Sequence, residues 1–276
     1  MLPPIADRFV AGEDISSALD HTRALNDDGV GTIFNLLGEH YDDTADASDD
    51  TETYIDLVER ISTTGLDACI SVKPSQIGLD ISDETFADNL ARIVDVAAER
   101  GVFVWVDMED HTTIDATLYA VTDCAETHAE MGLCVQANMK RTPDDLRRLV
   151  QTPVTVRLVK GAYDPPNRLA YSEKADVNRA YRENLAYLFE HADRVAVGSH
   201  DPEMIEYAKE LHEEHGTPFE IQMLMGVRGD EQRALAGEGY ESYQYVPFGG
   251  KWLSYFYRRV RERKENVLFA ARALLS

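Results

Sequence analysis

Charged and aromatic side chains near the end of the chain have a spacing that would let them bind a small anion together. They recur at i, i+3, i+4 and i+7 on one face of a predicted helix: Tyr255, Arg258, Arg259 and Glu262. Each guanidinium can form a two-point fork with a carboxylate, and Glu262 can hold Arg259 in place. A solvated helix face with a surface ion pair is the alternative, because charge runs on helices are usually solvated.

The acidic composition of the chain makes these basic residues stand out. The net charge is −23, from 50 acidic and 27 basic side chains. Such a field repels nucleic acid and anionic lipid, so nucleic acid is not an expected partner. Hydrophobic residues make up 44% of the chain, which argues against disorder. We therefore predict a folded protein from a salt-adapted organism, because concentrated salt screens the self-repulsion.

The cysteines and the N-terminus favour a cytoplasmic protein. Cys69, Cys124 and Cys134 show neither a disulfide framework nor metal-ligand spacing, so buried thiols in a reducing compartment are expected. The first residues lack the basic region of a signal peptide. No apolar run reaches the roughly 20 residues that a membrane span needs.

Short apolar, β-branched runs alternate with amphipathic helical stretches along the whole chain. Strands are predicted at 30–37, 68–73, 102–107, 133–137, 154–160, 194–199, 219–224 and 243–247. The clearest helices are predicted at 86–101, 176–192 and 204–216, and a last helix follows the final strand. This alternation predicts a single (β/α)8 barrel domain over residues 1–276.

Two further interpretations concern the organisation of the chain. A doubly wound open sheet is the alternative fold, and the absence of a G-x-G-x-x-G motif after the first strand weakens it. The acidic segment 39–53 is interpreted as a surface loop, because nothing in its composition demands burial.

Polar and cationic side chains follow nearly every predicted strand. In a (β/α)8 barrel, catalytic groups lie at the carboxyl ends of the strands. Those ends carry Lys73, Asp107, Met108, Glu109, Gln136, residues 157–163, residues 199–201, Gln222, Leu224 and Tyr245. Any one of them could be a strand-end cap, but their recurrence predicts one polar mouth. Its expected cations are Lys73, Arg157, Lys160, Arg258 and Arg259, which would attract a substrate carboxylate, a phosphate-bearing cofactor or both.

Several of these segments resemble the motifs of one enzyme family. They are VKPSQIGL at 72–79, VDMED at 106–110, RLVKGAY at 157–163, GSHD at 198–201, EIQMLMGVR at 220–228 and YVPFG-x2-W-x2-Y-x2-RR-x2-E at 245–262. In this order they resemble proline dehydrogenase, in its short monofunctional bacterial or archaeal form. The resemblance spans most of the chain, and its most specific parts are RLVKGAY and the terminal tyrosine–arginine–arginine block.

The resemblance implies a distorted (β/α)8 barrel that binds FAD, with the last helix placed over the C-terminal mouth. It assigns the substrate carboxylate to Arg258, Arg259 and Lys73, and the ring of L-proline to Tyr245, Tyr255 and Leu224. Arg157 is expected near the flavin N5, Asp107 supports the site, and Glu262 supports the arginines. The remaining FAD contacts are expected from Met108, Gln136, Lys160, Gly161, Ala162, Tyr163, Ser199 and His200.

The reaction implied by the resemblance is oxidation of L-proline to Δ1-pyrroline-5-carboxylate, with hydride passing from C5 to the flavin. Electrons would then go to a quinone or other acceptor, and the protein would lie in the cytoplasm or at the inner face of the membrane. Because the chain has no aldehyde dehydrogenase segment, a separate pyrroline-5-carboxylate dehydrogenase would act next.

Two other enzyme classes remain open from the residues themselves. The first is a cofactor-free Schiff-base lyase that uses Lys73 or Lys160 as nucleophile. The second is a metal hydrolase built on Asp107, Glu109, His111 and His200, for which no H-x-H or HExxH spacing appears and no metal is expected.

Overall fold

The computed structural model describes residues 6–253, in which strands and helices alternate. The strands are β1 (Gly31–Leu36), β2 (Ala68–Val72), β3 (Val104–Val106), β4 (Met131–Gln136), β5 (Thr155–Val159), β6 (Val195–Gly198), β7 (Phe219–Leu224) and β8 (Glu241–Phe248). The helices are α1 (Ile15–Asp27), α2 (Thr44–Thr64), α3 (Asp83–Arg100), α4 (Ile114–Ala125), α5 (Thr142–Leu149), α6 (Lys174–His191), α7 (Pro202–His215) and α8 (Gly229–Gly237). Short 3₁₀ turns lie at Ala6–Arg8 and Pro74–Gln76.

The eight strands form a closed parallel barrel in sequence order. β1 pairs with β2 on one side and with β8 on the other, and the β1–β8 ladder runs from Gly31 opposite Tyr243 to Leu36 opposite Phe248. Helices α2 to α8 connect successive strands, and α1 precedes β1. The (β/α)8 barrel is therefore confirmed. The open sheet is wrong, because an open sheet has two unpaired edges and this ladder closes the barrel.

Two predictions about the whole chain are not decided by these residues. The helix expected over the barrel mouth falls almost entirely on residues 254–276, which lie outside the described residues. The single domain over residues 1–276 stays a prediction.

The helices surround the barrel because each buries one face against it. In α3 the buried residues Phe86, Leu90, Ile93 and Ala97 recur at helical spacing. The helix begins after Ser82, whose hydroxyl accepts a hydrogen bond from the backbone N–H of Thr85. All three of the clearest predicted helices are present as α3, α6 and α7.

The interpretation of segment 39–53 as a surface loop is wrong. α2 begins at Thr44, and Asp43 caps it by accepting a hydrogen bond from the N–H of Ala45 at 2.8 Å. Its buried residues recur at helical spacing: Ala47, Thr51, Tyr54, Leu57, Val58 and Ile61. The acidic residues lie on the other faces of the helix, so this acidic segment forms the solvent-facing side of a helix and not a loop.

The barrel interior contains an apolar cluster and a separate group of polar side chains. Ile33, Cys69, Trp105 and Ala196 form a buried interior cluster. The polar group consists of Ser71 on β2, Asp107 directly after β3 and Arg157 on β5. Of the helices within residues 6–253, none combines the length and the apolar character that a bilayer-spanning helix needs.

Candidate active site

The central feature of the barrel interior is a buried ion pair between Arg157 on β5 and Asp107 after β3. The Arg157 Nη2 donates to Asp107 Oδ1 and, at 3.2 Å, to the Ser71 hydroxyl. Its Nη1 donates to Gln222 Oε1 at 3.1 Å. Burial alone would lower the pKa of Arg157, but the Asp107 carboxylate raises that pKa above its ordinary value. The guanidinium is therefore a permanent positive charge at the centre of the barrel.

Two aromatic rings flank this charge. The guanidinium carbon of Arg157 lies 5.0 Å from the ring centre of Trp105 and 5.6 Å from that of Tyr245. Both distances lie within the range for attraction between a cation and an aromatic face. The rings also pack against the guanidinium, which restricts the orientation of its planar fork.

Tyr245 on β8 connects the ion pair to the opposite wall of the barrel. Its hydroxyl donates to Asp107 Oδ2 at 2.6 Å, and Ser71 donates to Asp107 Oδ1 at 2.9 Å. Burial raises the pKa of Tyr245, and the neighbouring Asp107 charge raises it further. The tyrosine thus stays a donor, and Asp107 is held by three donors from three strands.

A second carboxyl group lies beside this centre at Glu109, which is 3% exposed. Its oxygens accept from the Ser75 backbone N–H at 2.7 Å and from the Ser75 hydroxyl at 2.9 Å. The hydroxyl of Tyr163 reaches the same carboxylate at 3.4 Å. Burial raises the pKa of Glu109, while the Ser75 bonds and the charge of Lys73 act in the opposite direction. Glu109 therefore links the segment after β2 to the segment after β5.

Lys73, the expected partner of a substrate carboxylate, follows β2 and is 8% exposed. Its Nζ lies 3.9 Å from Glu39 Oε2, at the edge of ion-pair distance. Lys73, Ser71 and Cys69 are two residues apart along one strand, so they share the interior face of the barrel. The lysine is thereby brought to the same mouth as Arg157.

The segment after β5 has a cation and a tightly packed glycine. Lys160 Nζ lies 2.7 Å from Asp201 Oδ2 and 2.6 Å from Asn178 Oδ1. Burial would raise the pKa of Asp201, but its hydrogen bond to Lys160 and the lysine charge bring the pKa below its ordinary value. Gly161 has φ +110°, and a Cβ on it would lie 2.2 Å from Asn138 Oδ1. That oxygen is buried and has no hydrogen-bond partner among the described residues.

The remaining predicted cofactor contacts lie on neighbouring strand ends. Gln136 on β4 donates to the carbonyls of Met108 and Glu109 at 3.0 and 2.8 Å. The Ser199 hydroxyl accepts a hydrogen bond from the Asp201 N–H at 3.1 Å. His200 Nε2 accepts from the Leu224 N–H at 2.8 Å. Ala162 follows Gly161 directly.

The structure thus brings the predicted residues of β2 to β8 to one end of one barrel. Four predicted residues are not among those described: Tyr255, Arg258, Arg259 and Glu262. The anion-binding role given to that face therefore stays a prediction.

Sequence reasoning missed Asn138, which lies beside Gly161, and two residues that contact this centre, Ser71 and Trp105. Ser71 is two residues from Lys73 and Trp105 is two from Asp107, so each shares the face of a residue that was singled out. The period of two along a strand is the signal that could have found them. Ser71 and Trp105 were overlooked because they lie within apolar runs.

The arrangement gives little support to the other two enzyme classes. The Nζ of Lys160 donates hydrogen bonds to a carboxylate and to an amide oxygen, so this nitrogen is already engaged within the protein. Asp107 is bound to Arg157, and Glu109 to Ser75. Within residues 6–253 no three His, Cys, Asp or Glu side chains are grouped as metal ligands.

The fold and this centre define a (β/α)8 barrel enzyme with a buried arginine–aspartate pair at its catalytic end. A family model described as proline dehydrogenase matches residues 18–272. The chain belongs to the proline dehydrogenase family.

Relatives and solved structures agree with this assignment. Proline dehydrogenase 1 of Bacillus subtilis (strain 168) is 34% identical over 98% of this chain and 90% of its own length. Proline dehydrogenase of Deinococcus radiodurans is 37% identical with the same coverage. A crystal structure of proline utilization A from Bdellovibrio bacteriovorus, inactivated by N-propargylglycine, gives a TM-score of 0.84 at 24% identity. It covers 95% of this chain and 33% of that longer chain, and at this identity it supports the fold.

Proposed function

We propose that this protein oxidises L-proline to Δ1-pyrroline-5-carboxylate with FAD as its cofactor. The observation that carries the proposal is the Arg157–Asp107–Tyr245 group, buried at the carboxyl end of a barrel from the proline dehydrogenase family. A buried, permanent cation with aromatic neighbours suits a site that binds an anionic substrate and an electron-rich ring system.

The segment after β5 fits a flavin on its own features. Asn138 Oδ1 is a buried acceptor with no partner among residues 6–253, and the adjacent Gly161 has no side chain. Backbone without a Cβ permits close approach of a planar ring, and an unpaired buried acceptor calls for a donor. Lys160 and Arg157 add positive charge for a phosphate-bearing cofactor. The other residues that would hold FAD are Met108, Gln136, Ala162, Tyr163, Ser199 and His200.

A bound FAD would supply the acceptor for the hydride from C5 of proline, and the amine nitrogen would lose its proton as the C=N bond forms. The protein residues make this possible by position and charge. Lys73, together with Arg258 and Arg259, would hold the proline carboxylate. Their combined positive charge favours the neutral amine, which alone can push electrons towards C5.

Arg157 and Asp107 have separate roles in this proposal. The guanidinium has five N–H donors, and its bonds to Asp107, Ser71 and Gln222 fix its plane while it contributes positive charge to the site. Asp107 is a positioning group, because its oxygens are occupied by Arg157, Ser71 and Tyr245. Tyr245 and Leu224 would form walls against the pyrrolidine ring and exclude water from C5.

The proposal extends to partners. Electrons would leave the site for a quinone or another acceptor, and a separate pyrroline-5-carboxylate dehydrogenase would use the product. A cytoplasmic protein at the inner face of the membrane would have access to both the electron acceptor and the dehydrogenase.

Product analysis with an artificial electron acceptor tests this function. The FAD-loaded protein should form an imine from L-proline that reacts with o-aminobenzaldehyde. Arg259→Ala should lower kcat/KM by about one to two orders of magnitude, because charge-assisted hydrogen bonds are worth roughly 1.5–3 kcal/mol. Arg259→Lys should recover part of the loss.

Arg233→Ala is the matched control, since Arg233 is a half-exposed arginine on α8 that pairs with Asp28. It should leave kcat/KM within twofold. Absence of any imine from the FAD-loaded wild-type protein would refute the proposed function.

A further inference from the structure

The wall residue Leu224 owes its position to side chains outside the barrel. Leu224 is the last residue of β7, two residues after Gln222, whose amide oxygen contacts Arg157. Residues two apart on a strand share a face, so Leu224 lies on the interior face at the mouth. It is also directly opposite Tyr245 in the β7–β8 ladder. Any shift of the Leu224 backbone would therefore move the wall of the site.

Hydrogen bonds hold the backbone of Leu224 on both of its sides. Its N–H donates to His200 Nε2 at 2.8 Å, which connects it to the segment after β6. Its carbonyl accepts from the Val227 N–H at 3.2 Å and from Gln232 Nε2 on α8 at 3.3 Å. The same Gln232 nitrogen donates to the Val227 carbonyl at 2.8 Å, so one amide spans the turn from β7 to α8.

Gln232 is itself oriented by a second buried amide. Gln244 on β8 donates from Nε2 to Gln232 Oε1 at 2.8 Å, and its own Oε1 lies 2.8 Å from His21 Nε2 on α1. Gln232 is 1% exposed and Gln244 is 5% exposed. Because both Gln232 oxygen and nitrogen are used, the amide has one orientation that satisfies every bond.

The two glutamines do not face the interior of the barrel. Tyr243 and Tyr245 pack against the apolar cluster in the barrel interior, and Gln244 lies between them in the sequence of β8. Alternation along the strand therefore directs Gln244 outward, towards α1 and α8. The side-chain hydrogen bonds of the two glutamines go to Leu224, Val227, His21 and each other, so an effect on the substrate would have to pass through the turn after β7.

We propose that Gln232, oriented by Gln244, is a positioning residue that fixes the Leu224 wall and so limits the ring size that the site accepts. This inference rests on the proposed function. Without the Gln232 donor, the Val227 carbonyl loses its side-chain partner and the Leu224 carbonyl keeps its bond from the Val227 N–H, so the turn is no longer tied to α8 by this amide and gains freedom to move away from the barrel axis. A wall that contacts the substrate equally in its ground and transition states affects KM and leaves kcat nearly unchanged.

The test compares near-isosteric variants with L-proline and with L-pipecolate, whose ring has one more methylene. Gln232→Met should raise KM for L-proline by about fivefold, since a lost neutral hydrogen bond is worth roughly 1 kcal/mol. Its kcat should stay within twofold, and its FAD-to-protein ratio should equal that of the wild type. Preference for proline over pipecolate should fall, because a site discriminates against an added methylene only through a fixed wall.

Two further variants separate positioning from stability. Gln244→Met keeps the hydrogen bonds that Gln232 donates. It should change KM and the proline-to-pipecolate preference in the same direction as Gln232→Met, but by a smaller factor. Asn26→Leu is the matched control: Asn26 on α1 also donates from one amide to two carbonyls, those of Val30 and Asp67, at the amino end of the barrel. It should lower stability without changing KM or the proline-to-pipecolate preference.

The outcomes distinguish this inference from the proposed function. If the wild type contains FAD but forms no imine from proline, the function is wrong. If the wild type is active and Gln232→Met keeps its KM and its preference, the inference is overturned, as it is if Asn26→Leu produces the same changes. Should Gln232→Met fail to fold, Gln244→Met decides: an unchanged KM and preference there also overturn the inference. A binding measurement with cyclopentanecarboxylate, which cannot form the imine, should show the same loss of affinity through the flavin spectrum.

Discussion

At the scale of single residues, the site depends on charges that are buried in pairs. The Arg157 side chain is 4% exposed and that of Asp107 is 16% exposed. Removing one partner leaves the other charge in a poorly solvated place, whereas removing both leaves only polar and apolar groups. This asymmetry gives a test of the pair that does not depend on turnover.

We expect Arg157→Met to lower the free energy of unfolding by about 3 kcal/mol, near the lower limit for a broken buried pair because Asp107 keeps some solvent contact. The double variant Arg157→Met/Asp107→Asn should be clearly more stable than Arg157→Met alone. Urea unfolding of the FAD-free proteins measures both. If the second substitution lowers stability further, Asp107 is not held by Arg157 in the way described.

The buried carboxyl of Glu109 predicts a specific pH dependence. Burial raises its pKa, so the fold favours the protonated form. That contribution is complete below the ordinary carboxyl pKa of about 4.3 and is lost as pH rises through the higher value in the fold. Glu109→Gln removes the titration. The stability of the variant relative to the wild type should therefore increase as pH rises from about 4, whatever the constant offset from altered Ser75 bonds.

Thermal melts of both proteins across this pH range measure the difference. A difference between the two proteins that stays constant over the range would contradict the raised pKa. The wild-type Ser75 bonds to the carboxylate oppose the upward pKa shift, so they limit the size of the increase.

At the scale of elements, the sequence predicted the regular parts of the fold well and one helix badly. All eight strands were found because β-branched runs with polar ends mark barrel strands. The first turns of α2 were missed because residues 39–53 are dominated by acidic side chains, and the buried residues of α2 within that segment are the small or polar Ala47 and Thr51. Its larger buried apolar residues, such as Leu57 and Ile61, lie after the segment, so hydrophobic periodicity gave no signal within it.

The site was predictable in its strand-end residues and not in what holds them. Arg157, Lys73 and Tyr245 followed from position at the strand ends. The Gln232–Gln244 pair could not be predicted, because two glutamines 12 residues apart become neighbours only when α8 packs on β8. Tertiary contacts of this kind have no local sequence signal.

The connection after β5 makes a prediction at the scale of an element. Gly161 has φ +110°, and a Cβ there would lie 2.2 Å from Asn138 Oδ1. Gly161→Ala should therefore lower the free energy of unfolding by about 2–4 kcal/mol. Backbone strain contributes about 1–3 kcal/mol of this, and displacement of Asn138 adds to it. It should also weaken FAD binding, measured by flavin fluorescence.

Gly65→Ala is the control for this substitution. Gly65 has φ +68° and no atom within 4 Å of its added Cβ. It should cost only the left-handed penalty of about 1–2 kcal/mol and leave FAD affinity unchanged. Equal effects of the two substitutions would show that close packing at Gly161 has no part in cofactor binding.

At the scale of the whole molecule, the barrel gathers scattered cations at one end of a chain whose net charge is −23. Self-repulsion of this size destabilises the compact state, and salt screens it. We expect the melting temperature to rise with KCl well beyond physiological concentration. Sorbitol at equal osmolality is the control, because it adds no screening. The same melting temperature in dilute buffer and concentrated KCl would contradict salt adaptation.

The central claim is that this barrel binds FAD and takes hydride from L-proline, and an anaerobic spectral titration tests it most directly. The purified or FAD-reconstituted protein should show the visible bands of an oxidised flavin. L-proline should bleach those bands in the absence of oxygen and of any other acceptor, and D-proline at the same concentration should not. A protein that cannot be reconstituted with FAD, or a flavin spectrum that L-proline leaves unchanged, would contradict the account.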